Sequence, residues 1–174
     1  MLKDNKTARF EEAVMPHLDA AYNLARWLTR NTTDAEDVVQ EAFLRAFKFF
    51  NGFHGTNGRA WTLQIVRNTY YSWLQKNKKG EEVTEFDEEI HGRAASCSPE
   101  TILMERVDRQ QLKQMLGELP VEFREIIVLR ELEGMSYKEI ANIADLPLGT
   151  VMSRLARARE RLMANAALQK GGAR

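Results

Sequence analysis

Four arginines fall within eight residues near the C-terminus: Arg154, Arg157, Arg159 and Arg161, with Ser153 just before them. A guanidinium is a planar fork of donors that fits guanine O6 and N7, or a phosphate, through two bonds at once. A serine hydroxyl serves either a donor or an acceptor edge of a base. A second basic group, Arg59, Arg67, Lys76, Lys78 and Lys79, has no acid between its ends and is interleaved with Trp61, Tyr70, Tyr71 and Trp73. Cations beside aromatic rings suit single-stranded nucleic acid, in which phosphates pair and bases stack. The same rings at helical spacing also suit a core, and for Tyr70 and Trp73 the core reading is the stronger one. Bond-making chemistry has no such support. No nucleophile–base pair and no phosphate loop are readable. His17, His54 and His91 lie far from one another and from the single Cys97, so no metal-ligand spacing appears and no cofactor is implied. The expectation is a binding protein, not an enzyme.

The basic residues need rigid elements behind them. Val151, Leu155, Ala158 and Leu162 recur at i, i+4, i+7 and i+11, one buried face of a helix that leaves Ser153 and the arginines on its other faces. Ahead of it, Ser136-Tyr137-Lys138-Glu139 reads as a capping box opening a short helix with Ile140, Ile143 and Ala144 inside. Asp145 to Thr150 supplies the turn. Two short helices joined tightly, the second basic, make a helix-turn-helix, whose second helix fits the major groove. From Ser136 to Arg174 seven cations face three acids, a local charge of about +4. Leu119-Pro120 starts the preceding helix, which carries Phe123, Ile126, Ile127 and Leu132 and has Gly134 at its end.

The N-terminal part is helical as well. Phe10 to Met15 is a short helix, and Pro16 restarts the chain into one carrying Leu18, Ala21, Tyr22, Ala25 and Leu28. Thr33-Asp34-Ala35-Glu36 reads as another capping box, opening a helix with Val39, Ala42, Phe43, Ala46 and Phe50 on one stripe. Glycines and asparagines mark a loop from Asn51 to Gly58, and a helix follows from about Arg59 to Lys76. Between the two helical parts, Glu81, Glu82, Glu85, Asp87, Glu88 and Glu89 crowd a stretch poor in apolar residues. Such a stretch buries too little surface to offset its ordering entropy. The fold class expected is all-α: two small helical domains, 8–79 and 98–168, joined by a flexible acidic linker at 80–97. The second is a four-helix domain that opens at Ser98-Pro99-Glu100 and ends in the helix-turn-helix.

The chain has 174 residues and zero formal net charge, so affinity for nucleic acid has to come from local segregation of charge. The N-terminus has no signal-peptide pattern, no apolar run reaches the roughly 20 residues of a membrane helix, and the lone cysteine suits a reducing compartment. These point to a cytoplasmic protein.

Taken together, residues from about 10 to 166 resemble the sigma-70 family of bacterial RNA polymerase sigma factors, extracytoplasmic-function (ECF) group. The resemblance rests on Asp34 to Phe43 (DAEDVVQEAF), on Arg59-Ala60-Trp61 with Ile65 to Asn68, and on Leu129 to Ala141 with Leu148 to Arg159. It implies binding to core RNA polymerase, recognition of −10 and −35 promoter DNA, and an anti-sigma partner, with no membrane insertion. It implies that Asp37, Gln40 and Glu41 contact core polymerase. Phe53, His54, Asn57, Arg59, Arg67, Asn68 and Tyr71 would meet the −10 element, with a flipped base held by the 53–58 loop. Thr150, Ser153, Arg154, Arg157, Arg159 and Arg161 would meet the −35 element. The acidic linker would thread the polymerase cleft. Met152 stands where the family usually has Lys or Arg, and Ala156 where a larger residue is frequent, so the resemblance does not set the −35 preference.

Three other readings compete. A one-component regulator would place a ligand pocket or dimerisation domain before the helix-turn-helix, which about 70 residues of charged, capped helices fit poorly. A recombinase would need a catalytic constellation. A mimic that only sequesters an anti-sigma factor would need neither the basic helix at Arg67 nor the recognition arginines.

Overall fold

The computed structural model describes residues 2–77 and 109–171. The acidic linker at 80–97, and the Ser98-Pro99-Glu100 helix start, lie outside the described residues. The described chain is all-α, in two compact units. The first holds α1 (Leu2–Ala13), α2 (Leu18–Thr29), α3 (Thr32–Phe49) and α4 (Gly58–Asn77). The second holds α5 (Arg109–Glu118), α6 (Val121–Ile127), most of α7 (Tyr137–Ala144) and α8 (Leu148–Gly171).

In the first unit α2, α3 and α4 pack pairwise against one another. The buried positions are Ala21, Leu24, Ala25 and Leu28 of α2, Ala35, Val38, Val39, Ala42 and Ala46 of α3, and Leu63, Val66 and Tyr70 of α4. Alanines on the facing stripes bring the helix axes close, and the leucines and valines fill the space between them. A second cluster ties α1 to the ends of α3 and α4. Phe10, Val14, Ala46 and Phe50 are buried there, with Phe43, Phe53, Trp61 and Ile65 packed around them. Phe10 meets Phe47 and Phe50 edge to face, at 5.2 and 5.5 Å between centroids, a favoured aromatic geometry. Gly58 begins α4 against the end of α1: a Cβ there would stand 2.1 Å from the Ala13 carbonyl oxygen, so only glycine fits.

The start of α3 departs from the expected capping box at Thr33–Glu36. Arg30 takes the left-handed conformation (φ 58°) and ends α2, which leaves Asn31 extended at the N-cap. The Asn31 Oδ1 accepts from the Asp34 N–H at 3.0 Å. Asparagine outranks threonine as a cap, and here the chain reverses early enough to use it.

In the second unit, Arg124 is buried, and its guanidinium donates to the carbonyls of Gly117 and Leu119 at 3.3 and 3.0 Å. It thereby satisfies orphan carbonyls at the end of α5. After Ile127 the helix widens into a π turn, Val128–Leu132, closed by Glu133 N–H to Val128 O at 3.0 Å. The extra residue shifts the phase, and Leu132 is exposed while Phe123, Ile126 and Ile127 are buried. Gly134, at φ 65°, ends the segment. The Ser136 box forms as expected: Glu139 N–H donates to Ser136 Oγ, and Ser136 N–H to Glu139 Oε1, each at 3.1 Å.

Candidate nucleic-acid interface

The stripe of α8 is buried as its spacing predicts: Val151, Leu155, Ala158 and Leu162 are all 4% exposed or less. α7 and α8 are joined by a turn in which Asp145 takes a left-handed φ of 53° and Leu146 N–H reaches the Ala141 carbonyl at 3.0 Å. Pro147 O accepts from the N–H groups of Thr150 and Val151, which starts α8. Ser153 is half-buried, and its hydroxyl donates to Thr150 O at 3.1 Å. Arg154 and Arg157 are half-buried along the flank of the helix. Arg159 pairs with Glu131 of the π turn at 2.7 Å, both side chains one-fifth exposed. The Arg161 guanidinium lies 4.9 Å over the Phe123 ring. Two of the four arginines thus hold their own domain together as well as carrying charge. Glu131 and Phe123 are 28 and 38 positions away from these partners, a distance no local pattern reveals.

On the first unit, the side chains expected at the −10 element fall into two groups. Phe53 packs on Trp61 and Phe50 at 5.0 and 5.8 Å between centroids, and Asn57 Oδ1 caps α4 by accepting from Ala60 N–H at 3.1 Å. His54 is exposed and Arg59 half-buried. Further along α4, the Arg67 guanidinium lies 4.4 Å over the Tyr71 ring and donates to Asn68 Oδ1 at 3.5 Å. Asn68 itself is exposed. Tyr70 is buried, in accord with its reading as core, and stacks at 6.2 Å on Trp73, which is half-buried.

Asn68 also lines an open cavity of about 570 Å³ between the end of α3 and α4. Its lining residues include Phe49, Trp61 and Ile65, and also Arg45 and Lys48. Phe53, His54 and Asn57 are not among its lining residues. Sequence reasoning missed Arg45, Lys48 and Phe49. The available signal was Phe49, a large aromatic out of phase with the buried stripe of α3 and 60% exposed. His17, in the turn before α2, is held below the ordinary histidine pKa by burial and by the nearby Arg59 charge.

The outer surface of α3 carries Asp37 and Gln40, both exposed, and Glu41, which pairs with Arg45 at 2.7 Å. Leu44 continues the row one turn on and is 69% exposed, with Phe47 39% exposed beside it. A polar row running into exposed apolar side chains marks a contact surface better than the polar residues do alone.

Comparison with known proteins agrees with both halves. The model described as Sigma-70 region 2 matches residues 13–80, and that described as Sigma-70, region 4 matches residues 109–162. The ECF RNA polymerase sigma-E factor of Escherichia coli K12 is 37% identical over 135 residues, covering 73% of this chain and 71% of that protein. The chain belongs to the extracytoplasmic-function group of sigma-70 family sigma factors. It is also 34% identical, over 88% of its length, to the ECF sigma factor SigE of Mycolicibacterium smegmatis, and it spans 60% of that protein. Among solved structures, the sigma factor RpoE of Bartonella quintana, in complex with the anti-sigma factor NepR, superposes with a TM-score of 0.69. It is 29% identical, with 91% of this chain and 97% of that one covered. CnrH, in complex with the cytosolic domain of CnrY, gives 0.64 at 26% identity, over 96% and 91%. As a sigma factor of this group, the chain carries its region 2 match on α2–α4 and its region 4 match on α5–α8. Among the described residues no helix is long and apolar enough to cross a membrane, and no cluster of metal-ligating side chains occurs.

Proposed function

We propose that this sigma factor docks on core RNA polymerase through α3, opens the −10 element with α4, and reads −35 duplex with α8. The observation that carries the reading is the cavity beside Asn68. Extruding a base costs a few kcal/mol of unstacking, and a pocket lined by aromatic and basic residues offsets that cost. About 570 Å³ lies within the range of small-ligand sites. The base therefore enters between Phe49, Ile65 and Asn68, with Arg67 and Tyr71 flanking it on α4 and Arg59 near the loop. Phe53, His54 and Asn57, outside the cavity lining, meet the −10 element beside it. On α3, Asp37, Gln40 and Glu41 meet the polymerase, with Leu44 and Phe47 adding apolar contact. On α8, Thr150, Ser153, Arg154 and Arg157 face the −35 element, while Arg159 and Arg161 add charge toward its phosphates.

The domains run over 8–79 and 98–168, and the acidic segment 80–97 threads the polymerase cleft, its carboxylates following the path of a nucleic-acid backbone. An anti-sigma factor holds the chain inactive in the cytoplasm. The solved relative from Bartonella quintana was captured with such a partner. Nucleotide chemistry is left to the polymerase. The test is run-off transcription by purified core polymerase, with and without this protein, on genomic fragments that include its own upstream region. Transcripts that start at discrete sites only in its presence are expected. Neither transcripts nor binding to core would overturn the reading and favour a one-component regulator.

A further inference from the structure

The second helix of the helix-turn-helix presents two large apolar side chains to solvent. Leu148 is 49% exposed and Met152 45% exposed, one turn apart at the start of α8. Ala156, half-buried, continues the same row a further turn on. Ser153 adjoins this row on the outward side, with Arg157 beyond it. The surface that enters the groove is thus apolar on one side and cationic on the other. Isolated exposed apolar residues are ordinary. These are successive positions on the first turns of a helix-turn-helix second helix, the part that contacts base edges.

The chemistry of these side chains narrows what they meet. A thioether and an isobutyl group have no donor for guanine O6 or N7 and no charge for a phosphate. The one apolar group that a base pair offers in the major groove is the thymine 5-methyl. Methionine, unbranched and polarizable, adapts to such a contact. The arginines of the same helix supply charge complementary to the duplex, which fixes the occupant of this surface as DNA.

We propose that Met152, with Leu148 beside it, selects thymine in the −35 element by contact with its 5-methyl group. The inference rests on the reading of α8 as the −35 helix. It makes the −35 preference of this protein richer in A·T pairs at the positions facing Met152 than an arginine or lysine there would give. Arg157 retains its contact on the other side.

The experiment uses the full chain reconstituted with core polymerase and a promoter mapped by run-off transcription. Each −35 thymidine is replaced singly by deoxyuridine, which removes the methyl group and leaves every hydrogen-bonding group in place. Competition binding then compares the two DNAs. Deoxyuridine at one or two positions is expected to weaken the wild-type holoenzyme about fourfold, the factor for one methyl-sized group taken out of water. The Met152→Ala protein, altered only at an exposed side chain, should bind the two DNAs equally. Equal binding of both DNAs by wild type at every −35 position would overturn the proposal, as would an undiminished preference in Met152→Ala. If scrambling the whole −35 element changes nothing, the assignment of α8 itself fails, and this inference with it.

Discussion

Arg157 and Arg159 sit two positions apart on one helix, and so about 200° apart around its axis. Arg159 turns toward Glu131, and Arg157 lies on the side away from that pair. The two arginines therefore predict different losses. Arg157→Ala should weaken −35 binding by about 1–3 kcal/mol if it pairs with a base, measured by competition with promoter DNA. Undiminished affinity would remove it from the interface. Arg159→Ala should lower the melting temperature, and Glu131→Ala should reproduce that drop. The double variant should fall well short of the sum, because the two changes remove one contact. At one-fifth exposure the pair is only partly screened, so a measurable coupling is expected. At His17 the sign can be worked out as well. Its pKa is lowered on folding, so the unfolded chain binds more protons and stability falls as pH drops below the unfolded value of about 6.5. Thermal unfolding followed between pH 7.5 and roughly 5.5 should show a loss in wild type that His17→Asn lacks.

At the scale of elements, legibility followed the range of the physics. The stripe of α8 and the Ser136–Glu139 box depend on residues within one or three turns of each other, and both stand where their spacing put them. The start of α3 did not, because it depends on where α2 ends. Arg30 had to adopt a left-handed φ before Asn31 could serve as the cap, and nothing in the Thr33–Glu36 pattern reports on that. Leu132 falls out of phase with Phe123, Ile126 and Ile127 for a related reason: a π turn adds a residue within the helix and resets the phase after Val128. The cavity beside Asn68 lay furthest from reach, since its walls come from α3, the following turn and α4 at once. The cap gives a direct check. Asn31→Ala should cost about 0.5–2 kcal/mol of stability in chemical denaturation. Thr33→Ala, at an exposed position inside the first turn, should cost a few tenths at most. The reverse order would restore the capping box at Thr33.

At the scale of the whole chain, zero net charge makes division of labour necessary. With no overall attraction to DNA, the protein gains affinity only from local patches, and the helix-turn-helix segment holds about +4 by formal count. Such a patch yields mainly weak, salt-sensitive binding. On the proposed function, promoter selectivity depends on the polymerase to present both DNA elements at once, which multiplies two modest affinities through effective concentration. In the proposed arrangement the α3 surface is the joint, and it shares no residue with the surface of α8 proposed for the −35 element. Gln40→Ala combined with Glu41→Ala should therefore lower affinity for core polymerase and abolish promoter-specific transcription, while the isolated protein keeps its weak binding to −35 duplex and its melting temperature. Breaking the Glu41–Arg45 pair adds little to unfolding, since both side chains are more than a third exposed. Arg157→Ala should do the opposite, sparing co-purification with core and losing the promoter. If the α3 double variant also lost −35 binding as an isolated protein, the two surfaces would be coupled through the fold, and the separation of roles argued from their placement would fail.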